Sequence, residues 1–98
     1  MPAAPKIIEI PKVSIETDAE LDRPWQVTVY NDPVNLMSYV TMVLMRVFGY
    51  PREKAEQMML AVHLKGKCIV WTGEKERAEL YLQQLHGYQL NAAVSQLS

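Results

Sequence analysis

The sequence is poor in the residues that metal, redox and nucleic-acid chemistry require. Its 98 residues include a single cysteine, Cys68, and two histidines, His63 and His86. These cannot complete the usual tetrahedral set of a structural zinc site, and one cysteine cannot close an internal disulfide. No metal and no cofactor is expected, and a lone thiol suits a reducing cytoplasm. Ten basic residues oppose 11 acidic ones, for a net charge of -1, which offers no electrostatic reason to bind nucleic acid. No apolar run approaches the ~18 residues that suggest a membrane span. The N-terminus lacks the apolar core of a secretory signal. The four glycines (Gly49, Gly66, Gly73, Gly87) form no phosphate-cradling loop, and neither a Gly-x-Ser-x-Gly nor a His-Glu-x-x-His motif occurs. These absences leave one small cytoplasmic domain, expected to be a monomer, whose partners are proteins or small molecules.

What is present divides in two. Residues 1–24 hold four of the six prolines and no glycine, with five acids against three bases. The apolar residues there are small islands between prolines, so a mobile tail is expected. From Trp25 to Ser98 the periodic patterns of a folded core begin. Trp25–Tyr30 alternates apolar and polar β-formers and reads as a half-buried strand. Asn31-Asp32-Pro33 stops it, and Asn35 can cap a helix over about 36–48. Gly49-Tyr50-Pro51 breaks that helix and starts another, whose stripe is Ala55, Met58, Met59 and Val62. Residues 68–72 form a second strand. A third helix over about 74–86 follows, with Gly87 placed as its C-cap, and residues 88–94 make a last strand. The order β-α-α-β-α-β predicts an α+β fold, with three helices on one face of a small, mostly antiparallel three-stranded sheet.

Three features bear on function. Asn31 and Asp32 are acceptors at a strand-to-helix junction, fit for an ammonium group, although they also suffice simply to turn the chain. His63 closes the apolar stripe of the second helix, at the border of core and solvent, where a purely structural histidine is the commoner case. His86, beside Gly87, favours the helix dipole. Five methionines fall within Met37–Met59. They make either a soft core or a pocket that adapts to several large apolar side chains. A pocket of that kind beside Asn31, Asp32 and His63 would suit an amino acid with a free α-amino group and a bulky side chain.

At these residues the chain resembles the ClpS adaptors, which bring N-degron substrates to the Clp AAA+ protease. The resemblance runs from about Trp25 to Val94. It rests on Val29-Tyr30-Asn31-Asp32, then Met37-Ser38-Tyr39-Val40, then Met58 to His63 with Gly66-Lys67 at the matching distance. It implies a non-enzymatic adaptor in which Asn31, Asp32 and His63 bind the substrate's α-amino group. By the same resemblance Met37, Val40, Met59, Val62 and Leu90 line a pocket for N-terminal Leu, Phe, Tyr or Trp, with Met37 gating against β-branched residues. Glu76 falls on the surface that meets the N-terminal domain of the unfoldase, ClpA or ClpC. The partners implied are substrate N-termini and that unfoldase, with neither nucleic acid nor membrane. Pro33 stands where many members carry a second acid, and Tyr81 replaces a common lysine. The alternatives are an interaction domain of similar fold that modulates a AAA+ or ribosomal partner without reading N-termini, and a small enzyme using an Asp32/His63 acid–base pair.

Overall fold

The computed structural model describes residues 23–97. Most of the expected tail, residues 1–22, therefore lies outside the described residues. Strand β1 (Trp25–Tyr30) is followed by helices α1 (Met37–Phe48) and α2 (Arg52–Lys65). Strand β2 (Lys67–Gly73), helix α3 (Lys75–Gly87) and strand β3 (Asn91–Gln96) complete the domain. The sheet order is β2-β1-β3 and both pairings are antiparallel. The helices pack against the sheet through Val27, Val29, Val43, Leu44, Val70 and Leu85, which are essentially without exposure. Burying side chains of this size is worth about 1.5–3 kcal/mol each.

Because β1 is the central strand, its polar positions are drawn in as well. Thr28, flanked by Ile69 and Ala93, is buried despite its place in the polar half of the alternation. Opposite the Val27–Thr28 step, β2 carries one extra residue, Val70, where the register shifts. The Val70 carbonyl accepts a 2.6 Å hydrogen bond from the Tyr50 hydroxyl, and the Ala92 carbonyl of the other outer strand lies 3.0 Å from His86 Nε2. Each outer strand thus has one carbonyl engaged by a side chain from outside the sheet, which limits edge pairing with other chains. His86 does more here than meet a helix dipole.

Two expectations about helix ends give way. Leu36 occupies the N-cap of α1 without a side-chain cap, and Asn35 instead sends its amide across to the Gln89 carbonyl at 3.2 Å. Gly87 is not the C-cap of α3 but its last helical residue. Tyr88 follows at φ -87°, and the left-handed position falls on Gln89 at φ 66°. Residues 88–90 consequently form a turn, and the last strand begins only at Asn91. Among the described residues no helix is long and apolar enough to cross a membrane.

Candidate functional site

The strand-to-helix loop after β1 is fixed by a glycine. Gly66 ends α2 at φ 91°, a conformation an L side chain rarely adopts, and its N–H closes on the Val62 carbonyl at 3.0 Å. The Gly66 carbonyl then accepts the Asn31 N–H at 2.9 Å. One glycine therefore joins the end of β1 to the end of α2, and so brings Asn31 beside His63, 32 positions later. Asp32 closes the loop from within. One of its carboxylate oxygens accepts the Val34 N–H at 2.9 Å, and its carbonyl accepts the Asn35 N–H at 3.3 Å. The Asn31 side chain and the His63 ring make no hydrogen bond among the described residues, and Asp32 has no ion-pair partner there.

These groups line a cavity of about 330 Å³. Its walls are Met37 and Val40 from α1, Met59 and Val62 from α2, Val29 from β1, and Leu90 from the turn before β3. Asn31, Asp32, Asn35 and His63 supply the polar part. A volume at the low end of the roughly 300–1,000 Å³ of small-molecule sites suits one side chain and the backbone attached to it. The lining thus combines polar acceptors with apolar side chains, which is the chemistry of a group with a cationic head and an apolar body.

All eight residues that the resemblance places at the substrate site line this one cavity: Asn31, Asp32, His63, Met37, Val40, Met59, Val62 and Leu90. Glu76 stands apart, exposed in the first turn of α3. Tyr81 is half-buried, its ring 4.7 Å from Phe48 and 4.9 Å from Trp71, and its hydroxyl accepts from Arg77 at 3.0 Å. Locked in this way, it supplies packing and no positive charge. Asn35, Leu36 and Tyr30 also reach the cavity, unflagged by sequence reasoning. Leu36 is 73% exposed, and an exposed apolar side chain directly before α1 was the available signal.

The methionines prove to be border residues. Met37 is 42% exposed, and Met42, Met45, Met58 and Met59 are half-buried. Met37 and Met59 face the cavity, Met42 and Met45 line a groove with Arg46 and Arg52, and Met58 lies near Tyr50 and Trp71. Near that last cluster, burial raises the pKa of the Cys68 thiol, against a smaller lowering by Lys65. The Tyr50 hydroxyl is raised as well, by burial first and then by Tyr81 and Cys68.

Comparison with known proteins identifies the family. Residues 20–95 match the family model described as ATP-dependent Clp protease adaptor protein ClpS. The ClpS adapter of Streptomyces avermitilis is 45% identical over 97 residues, spanning 95% of this chain and 92% of the relative. That of Rhodococcus jostii is 41% identical over 86 residues, or 88% of this chain and 77% of the relative. In fold, the chain resembles Agrobacterium tumefaciens ClpS2, solved bound to L-phenylalaninamide, with a TM-score of 0.70 at 22% identity. That match covers 76% of this chain and 98% of the other. With its folded part spanned by the family model and its relatives this similar, the chain belongs to the ClpS family of ATP-dependent Clp protease adaptors.

Proposed function

We propose that this adaptor selects substrates by a bulky hydrophobic N-terminal residue, Leu, Phe, Tyr or Trp, held in the cavity between α1 and α2. Family membership makes the protein a non-catalytic adaptor that links substrates to a Clp AAA+ unfoldase and its protease. The preference for a particular N-terminal residue rests on one observation: polar acceptors and apolar side chains line the same cavity, sized for one side chain and its backbone. Asn31, Asp32 and His63 receive the α-amino group, and Met37, Val40, Met59, Val62 and Leu90 enclose the side chain. L-phenylalaninamide, the ligand named for the Agrobacterium relative, carries both of these features. Glu76 belongs to the surface that docks on the unfoldase's N-terminal domain, whether ClpA or ClpC, and residues 1–24 act during transfer.

The energies suit a handover. Enclosing a Leu or Phe side chain contributes about 1.5–3 kcal/mol, and each hydrogen bond to the charged amine a similar amount. With three such bonds the gross gain is about 6–12 kcal/mol, and an ordering cost of at least about 4 kcal/mol makes micromolar affinity the ceiling. Fluorescence anisotropy with peptides that begin with Phe, Leu, Val or Met tests the selection. Phe and Leu peptides bind, Val and Met peptides bind far more weakly, and acetylating the Phe amine abolishes binding. Equal affinity for the free and acetylated Phe peptides would refute the proposal.

A further inference from the structure

Gln89 is the one non-glycine residue with positive φ among those described, at 66°. An L side chain in that region is held against a local energetic cost, which bonds within and beyond the turn offset. Main-chain bonds supply part of the restraint: the Gln89 N–H donates to His86 at 2.8 Å and the Leu90 N–H to Leu85 at 3.0 Å. The rest comes from across the molecule. The Tyr39 hydroxyl donates to the Tyr88 carbonyl at 2.8 Å, and the Asn35 amide donates to the carbonyl of Gln89 itself at 3.2 Å. Leu90, the next residue, is 4% exposed and forms part of the cavity wall, which Asn35 also borders. The strained turn, its tether and a wall of the cavity are therefore consecutive links.

We infer that Asn35 is a positioning residue for substrate selection: by holding the Gln89 carbonyl it fixes Leu90 in the cavity wall, and so sets the size of side chain the cavity takes. This rests on the function proposed above and adds a determinant outside the amine-binding trio. Asn35 is half-exposed and its bond to Gln89 lies at the surface, so losing the tether frees the turn while leaving the core intact.

The test is peptide binding by the full chain, measured with Leu-initiated and Trp-initiated peptides, with circular dichroism to establish that each variant is folded. In Asn35→Ala the Trp-to-Leu affinity ratio should change by about three- to tenfold, the reach of one surface hydrogen bond. Adding Gln89→Gly should recover most of the wild-type ratio, because glycine holds the left-handed turn without a tether. Three results overturn the inference. One is a wild-type ratio in folded Asn35→Ala. Another is an equal fall in both affinities, which would assign Asn35 to the peptide backbone. The third is a double variant that behaves like Asn35→Ala alone. If the wild-type protein binds neither peptide, the proposed function fails first and this inference with it.

Discussion

Asp32→Asn isolates the charge in the cavity lining from the shape of the loop. The carboxylate accepts the Val34 N–H at 2.9 Å, and the amide oxygen of asparagine can accept the same bond, so the turn survives and only the negative charge is lost. The magnitude follows from the setting. Two unit charges about 4 Å apart attract by about 4 kcal/mol at an effective dielectric constant of 20, before desolvation. Fully exposed pairs retain only about 0.2–1 kcal/mol, whereas hydrogen bonds to charged groups are worth about 1.5–3 kcal/mol. Asp32 is half-buried, with no competing ion-pair partner among the described residues, so a value near 1.5–2 kcal/mol applies. That is a loss of about 10- to 30-fold in affinity for a Phe-initiated peptide. The assay is anisotropy of wild type and Asp32→Asn against the free peptide, with the acetylated peptide as a control that neither protein should bind, since the charge that Asp32 meets is already gone. An Asp32→Asn protein that binds the free peptide as tightly as wild type would refute the reasoning.

Further outcomes follow from the same geometry. Met37→Ala widens the cavity at the first turn of α1 and should raise affinity for Val- and Ile-initiated peptides by about tenfold relative to Phe, measured in the same assay; unchanged selectivity would deny Met37 a gating role. Removing residues 1–22 should leave peptide affinity within about twofold of wild type yet slow degradation by the Clp protease. The cut stops there because the Arg23 and Pro24 carbonyls accept hydrogen bonds from Gln96 Nε2 at 3.5 Å and the Leu97 N–H at 2.9 Å; loss of binding would contradict this division of labour. Cys68 and Tyr50 have raised pKa values when folded, so the unfolded chain releases their protons first. Their contribution to stability is whole below about pH 9 and is lost as the pH rises through the folded values. Urea midpoints should therefore fall from pH 8 to pH 10.5, and a flat or rising midpoint would contradict the effect of burial.

The sequence made some of this legible. Alternation in β1 identified Val27 and Val29 as core, but burial of Thr28 depends on the strand order β2-β1-β3, which a one-strand pattern does not contain. Gly49 and Gly66 were readable as helix stops because each takes a left-handed conformation, at φ 74° and 91°. Gly87 misled for the same reason. Glycine is the favoured left-handed residue, yet the main-chain bonds that close α3, from Gln89 to His86 and from Leu90 to Leu85, place that conformation two positions on, at Gln89. Asn35 misled likewise, since the bond it makes spans 54 positions rather than a single helical turn. Periodicity could place His63 at the end of a helix and Asn31 at the end of a strand. Their meeting depends on the Gly66–Asn31 main-chain bond, and only the family resemblance anticipated it.

The most direct test of the central claim is titration of the ¹⁵N-labelled protein with L-phenylalaninamide, followed by amide chemical shifts. The expected result is saturable shifts at residues 29–40, 59–66 and 89–91, with N-acetylation of the ligand eliminating them. Shifts confined to the Met42/Met45 groove, or no shifts at millimolar ligand, would contradict the assignment of this cavity to a substrate's first residue.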